Sequence, residues 1–219
     1  MASPYRYEER ILKAAREHFS AHGFFGARVD SIADEARLNK RMVYEYNHTK
    51  EGLYLAVLSR VSLDFMDLLN QNLPPDMKTG NAQSVFKTLF KVFHQSPAFI
   101  RLWAWETMDG TIHGPRILQT ADEVFMRLRN ILSQNAADIG CKKIDDEIYK
   151  KIILICQGYL HSVALCLDVT PKPYTDNSDT PEETDPEERL KAEAQLNLLM
   201  GLEDSVLLCI NKLLGLHTN

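Results

Sequence analysis

No stretch of this chain limits its fold as much as Val29 to Lys50. Val29, Ile32, Ala33 and Ala36 fall three and four residues apart, the spacing of one apolar helix face, and the pattern stops at Arg37-Leu38-Asn39. A second short helical pattern follows at once, Lys40-Arg41-Met42-Val43-Tyr44-Glu45-Tyr46, and Asn47-His48-Thr49-Lys50 closes it. Two short helices therefore meet at a three-residue joint, with Leu38 and Val43 as the apolar plug between them. The second leads with two cations and carries two tyrosines, where a groove-reading helix would want them.

The flanking segments are helical too. Ile11, Leu12, Ala15 and Phe19 stripe a first helix over about Tyr5 to Ala21. Glu8 and Glu9 suit its positive N-terminal end, and Gly23 offers a C-terminal cap before Phe24, Phe25 and Gly26 turn the chain. These three helices bury one small shared core. Thr49 is an N-cap for a long fourth helix through Leu53, Ala56, Val57, Val61, Phe65 and Leu68, which links head and body. Asn70 to Asn81, with Pro74-Pro75 and Gly80, reads as a loop.

Four stripes follow. Val85, Phe86, Leu89, Phe90 and Phe93 mark one helix until Pro97; Phe99, Ile100, Leu102, Trp103 and Met108 mark the next until Asp109-Gly110. Thr111 to Pro115 is a break. From about Ile117, Ala121, Val124, Phe125, Leu128, Ile131 and Leu132 resume the pattern, which stops near Gly140. Asp145 to Leu167 carries Ile148, Ile152, Ile155, Cys156, Tyr159, Leu160 and Val163. Asp168 to Glu188 holds eight acids, one Lys, four prolines and no aliphatic residue except Val169, so it is expected to be a mobile loop. A last helix runs from about Pro186 to Leu216. No strand alternation outbids these stripes. The predicted fold is all-α: a three-helix helix-turn-helix head, residues 1–48, on a helical-bundle body, residues 49–219, with about nine helices and no internal repeat.

The apolar run Ile152 to Leu167 is broken by Gln157, Gly158, His161 and Ser162 before the roughly 18 residues that a membrane span needs. The N-terminus lacks the apolar stretch of a secretory signal, so a cytoplasmic protein without a membrane partner is expected. Cys141, Cys156, Cys166 and Cys209 lack the paired spacing of a zinc site. On one helix, Cys156 and Cys166 are roughly 15 Å apart and cannot bridge. Reduced, mostly buried thiols are expected. Neither a catalytic set nor a Gly-rich phosphate loop is present, and His18 and His22, four apart, read as surface residues; no enzyme activity, metal or cofactor is expected.

A net charge of -5 argues superficially against a nucleic-acid partner. Residues 1–60, however, hold ten Lys/Arg against eight Asp/Glu, whereas residues 61–219 hold fifteen against twenty-two. The acidity belongs to the body, and the field within about 10 Å of the contact surface governs phosphate attraction.

A helix fits the major groove of B-DNA with its first residues at the base edges. Lys40 and Arg41 lie at that leading end; Arg can pair bidentately with guanine O6 and N7, and Lys can take the same acceptors or a phosphate. Asn39 either caps the helix or contacts DNA. Tyr44 and Tyr46 have hydroxyls at reach for phosphate oxygens, contacts that position without specifying. Lys50, one residue after the Thr49 cap, combines a cation with open amides at a helix start. A mixed-charge helix is by itself more often a solvated face. The ensemble of joint, basic leading end and tyrosines favours double-stranded DNA.

At these residues the chain resembles the N-terminal domain of the TetR family, the tetracycline-repressor-like bacterial regulators. The resemblance rests on Ile11 to Phe19, Gly23-Phe24, Val29-Asp30-Ser31-Ile32-Ala33, Asn39 to Tyr44 with Tyr46, and Thr49-Lys50-Glu51-Gly52-Leu53, within roughly Arg10 to Leu58. It implies that Asn39 to Tyr46 is the recognition helix, that Tyr44, Tyr46 and Lys50 hold phosphates, and that Arg28 touches backbone or base. Three positions depart from the family pattern. Arg37 stands where Gly is usual, at a cost on the order of 1 kcal/mol if its backbone is left-handed, some of which a phosphate contact could return. Asn47 replaces the usual Phe. Glu45 would repel phosphate, though it could accept from cytosine N4.

The resemblance further implies a homodimer, here through 145–167 and 186–216, on a palindromic operator, and a small-molecule effector in the body. Leu196, Leu199, Leu207 and Leu208 lie on more than one face of the last helix, as expected of a helix buried on several sides. Phe93, Phe99, Trp103, Trp105, Met108, His113, Phe125 and Tyr159 are the aromatic and polar mixture that pockets use, although each alone is more often core. His161 and Gln157 suit either a ligand or a dimer contact. The expected function is a ligand-responsive transcriptional regulator, most simply a repressor. The alternative is a helical binding scaffold whose head no longer reads DNA.

Overall fold

The computed structural model describes residues 4–108, 115–140, 144–167 and 186–216, and these residues form nine helices and no strand. They are α1 (Pro4–Gly26), α2 (Val29–Glu35), α3 (Lys40–Asn47), α4 (Lys50–Asn72), α5 (Ala82–His94), α6 (Pro97–Met108), α7 (Pro115–Gln134), α8 (Asp146–Leu167) and α9 (Pro186–Leu214). None of them is long and apolar enough to cross a membrane. The expected loop 168–188 falls, up to residue 185, outside the described residues.

The chain divides into two compact units, Met1–Ile139 and Gly140–Asn219. In the first, α4 is the hub, touching α1, α3, α5, α6 and α7. Its buried stripe is Leu53, Tyr54, Val57, Leu58, Val61, Ser62, Phe65 and Leu69. Ala56 and Leu68, expected on that face, are half-buried, because α4 is covered on several sides and the stripe turns towards Tyr54, Leu58 and Leu69. The α5 and α7 stripes are buried as their periodicity requires, including Phe86, Leu89, Phe90, Val124, Leu128 and Ile131. Between α4, α5 and α6, Phe65 stacks on Phe99 with ring centroids 3.9 Å apart, and Phe93 lies 5.2 Å from Phe65.

In the second unit α8 packs against α9. Asp145 caps α8 by accepting from the Ile148 amide at 2.8 Å. Ile152, Cys156, Tyr159, Leu160 and Val163 are buried, with Val206, Leu207 and Ile210 of α9.

Candidate nucleic-acid interface

The core of the head fixes which face of α3 meets solvent. Ile11, Ala15 and Phe19 of α1, Val29, Ile32 and Ala33 of α2, Ala36 and Val43 are all buried, while Leu38 is half-buried. Val43 is the one fully buried residue of α3, so most of that helix is left for another surface. Asn39 accepts from the Met42 amide at 2.9 Å and so serves as the N-cap of α3, while its residue stays exposed.

The joint has the geometry that makes its sequence unusual. Arg37 sits at φ 52, in the left-handed region, without being glycine. Its carbonyl and that of Ala36 both accept from the Arg10 guanidinium of α1, at 3.2 Å for Arg37. The end of α2 is thus tied to α1, which compensates a strained backbone with charge-assisted hydrogen bonds. A second tie joins the same helices, where His18 Nε2 lies 2.7 Å from Glu35 Oε2. His18 is therefore mostly buried rather than the surface residue its spacing suggested.

The corner from α3 to α4 is equally tight. His48 takes φ 56, Thr49 caps α4 by accepting from the Gly52 amide at 2.9 Å, and the Thr49 amide donates to the Asn47 carbonyl. A Cβ on Gly52 would meet that Asn47 oxygen at 2.5 Å, so only glycine allows the two turns to approach this closely. Asn47 is half-buried in the corner, and its side-chain amide nitrogen has no hydrogen-bond partner.

On the outer surface, Lys40, Arg41, Tyr44, Glu45 and His48 line one shallow depression. His48 joins this set unexpectedly, although it falls four residues after Tyr44, so the helical spacing of Lys40, Tyr44 and His48 could have found it. Arg28, Arg37 and Asn39 are exposed and Tyr46 is half-buried. Two ion pairs mark the leading end of α3. Lys40 Nζ lies 2.9 and 3.0 Å from the carboxylate oxygens of Asp30 on α2, and the hydrogen bond with Asp30 raises its pKa. Arg41 Nε lies 3.1 Å from Glu45 Oε1, one turn along α3. Lys50 Nζ sits 4.9 Å over the Phe24 ring, and desolvation lowers its pKa.

The body residues with ligand-pocket chemistry have different surroundings. Phe93 and Phe99 share the Phe65 cluster, Trp103 and Phe125 are buried, and Met108 is 61% exposed. Trp105 packs its ring against Gly23 and donates from Nε1 to the Ser20 carbonyl at 3.1 Å. Tyr159 belongs to the second unit, where burial and, less strongly, Glu203 raise its pKa. His113 lies outside the described residues. Among the described residues, no three His, Cys, Asp or Glu side chains gather as a metal site would require.

Residues 11–57 match the family described as bacterial regulatory proteins, tetR family. The HTH-type transcriptional repressor SCO4008 of Streptomyces coelicolor is 34% identical over 113 residues, 51% of this chain. The match spans 56% of that relative, little more than half its length. The HTH-type transcriptional repressor NicS of Pseudomonas putida is 26% identical over 166 residues, 74% of each chain. A solved TetR-like transcriptional regulator from Rhodococcus sp. RHA1 shares the fold, with a TM-score of 0.59 at 19% identity over 93% of this chain and 96% of that one.

Proposed function

We propose that this chain, whose residues 11–57 belong to the tetR family of bacterial regulatory proteins, is a homodimeric, effector-responsive transcriptional regulator, most simply a repressor acting in the cytoplasm on a palindromic operator. The observation that carries the reading is the outer face of α3. It keeps only Val43 in the core, and it presents Lys40, Arg41, Tyr44 and His48 together on a helix braced at both ends. Such a face suits the major groove, with Arg41 at the base edges and Lys40 and Tyr44 towards phosphates. Arg28, Arg37, Tyr46 and Lys50 flank it in the same role. SCO4008 and NicS, named above, are HTH-type transcriptional repressors.

In this reading residues 1–48 read DNA and residues 49–219 dimerise and respond to ligand. Leu154 and Leu165 of α8 and Leu198, Met200 and Leu208 of α9 are exposed large apolar residues of the second unit, which supports its use as the dimer surface. An effector that parted Phe93 and Phe99 from Phe65 would act directly on α4, whose first turn forms the corner of the head.

Selection of bound fragments from genomic DNA tests this. An inverted repeat with half-sites about one helical turn apart, or a multiple of it, is the expected product. Tyr44→Phe with Lys50→Ala should weaken all duplexes alike, whereas Arg41→Ala should relax preference at one base pair by about 1–3 kcal/mol. If no duplex competes above bulk DNA, the head does not read sequence and a DNA-blind binding scaffold replaces this reading.

A further inference from the structure

The cations at the leading end of α3 are each held by a carboxylate of the same head. Lys40 bridges from α3 to both oxygens of Asp30 on α2, and Arg41 is held by Glu45 one turn away. All four side chains are substantially exposed, Arg41 most of all at 88%. Exposed pairs of this kind are weak, so they do little for the fold and exchange readily with other partners.

The two modes of DNA contact differ in what they ask of these pairs. A phosphate that binds the free nitrogens of Arg41, or that takes Lys40 from Asp30, comes to lie beside a carboxylate, where like charges repel. A guanine edge is uncharged and meets no such repulsion at Arg41. Glu45 holds Nε, which leaves the two terminal guanidinium nitrogens to donate to O6 and N7. The carboxylate then stands next to the same base pair, where cytosine N4 is a donor. Pairing therefore penalises the sequence-blind mode and spares the base-reading one.

Resting on the DNA-reading function above, we propose that Glu45 is a specificity-determining residue and that Asp30 restrains the backbone affinity of the same helix. Glu45 orients Arg41 for a guanine in a G·C pair and opposes its capture by phosphate. Asp30 holds Lys40 back from the backbone until the helix is seated. The acidic residue that departs from the family pattern is then part of the reading head and not a defect in it.

The test begins with selection from a pool of random 24-base-pair duplexes by the unaltered protein. Its affinity for the winning duplex and for a scrambled duplex of the same composition is then measured over a salt series, beside Glu45→Gln, Asp30→Asn and Asp34→Asn. Asp34 is exposed on α2, so its variant reports the general effect of removing one negative charge. Glu45→Gln is expected to raise affinity for the scrambled duplex about three- to ten-fold beyond the Asp34→Asn control, to lower the ratio of winning to scrambled affinity by a similar factor, and to steepen the salt dependence as a released cation gains a phosphate. Asp30→Asn is expected to raise affinity for both duplexes, again beyond the control.

An unchanged ratio in Glu45→Gln, or a change no larger than in the Asp34→Asn control, overturns the proposal while leaving the DNA-reading function intact. Failure of the unaltered protein to enrich any sequence overturns both. Circular dichroism of each variant verifies that a lost ratio is not a lost fold.

Discussion

The guanidinium of Arg10 reaches 27 residues along the chain to donate to the carbonyl of Arg37 at 3.2 Å, at the one point of the helix-turn-helix joint where the backbone is left-handed. Arg37→Gly removes the Cβ strain and should raise the free energy of unfolding by about 1 kcal/mol. Arg10→Ala removes charge-assisted bonds to two carbonyls and should lower it by about 1–3 kcal/mol. Urea denaturation of the two variants measures both signs.

Gly23 has φ 65, and a Cβ there would lie 2.9 Å from the Trp105 ring. Gly23→Ala combines backbone strain with a steric clash, and a loss of about 1–3 kcal/mol is expected. Trp105→Phe keeps most of the packing but loses the bond to the Ser20 carbonyl, so about 1 kcal/mol should go. Thermal unfolding of both variants checks the order.

At the corner, Gly52→Ala would drive a methyl group into the Asn47 carbonyl and move α3 relative to α4. It should weaken binding to every duplex alike, because the whole reading helix shifts and no single base contact is singled out. His48→Gly relieves a left-handed residue and should stabilise the fold by about 1 kcal/mol, less any contribution of the histidine itself. Filter binding paired with a melting curve separates these effects.

The Tyr54 hydroxyl donates to Glu106 Oε1 at 2.7 Å, with both residues buried and the Tyr54 ring 4.8 Å from Phe19 and 5.2 Å from Phe24. Tyr54→Phe leaves a buried carboxyl without this donor and should cost about 1–3 kcal/mol. Tyr54→Phe with Glu106→Leu removes both partners and should cost less than the two single changes added together. A double-mutant cycle measures the difference.

Burial pushes the Cys156 thiol up to about 12, whereas Cys209 is exposed. Alkylation at pH 8 should mark Cys209 and spare Cys156 until the chain unfolds, as peptide mass mapping would show. The sign for stability follows. The folded pKa is raised, so the contribution is complete below the ordinary thiol value of about 8.5 and is lost as pH climbs from there towards the folded value. Unfolding midpoints should therefore fall across that alkaline window.

Much of this architecture was legible in the order of residues. The stripes of α5 and α7, the Thr49 cap and the positive φ at Gly23 follow from local spacing and from residue types that suit those backbones. The left-handed turn at Arg37 could be expected only through the resemblance. Trp105 shows where local reading stops. Its ring lies on Gly23, and nothing in the neighbouring sequence relates a tryptophan to a glycine 82 positions away. Lys50 teaches the same lesson, since only the fold sets Phe24 beneath it.

The sequence by itself determined the helices, their order and the helix that leads with Lys40 and Arg41, because a helix is a local period and a cap acts within one turn. Only the tertiary structure decided how those features are held and opposed. Arg10 restrains the left-handed Arg37, Asp30 holds Lys40, and Gly52 admits the Asn47 carbonyl. The physical reason is that Coulomb attraction and steric contact depend on distance in space, and the crossing of helices brings together residues that the period of any one of them cannot relate.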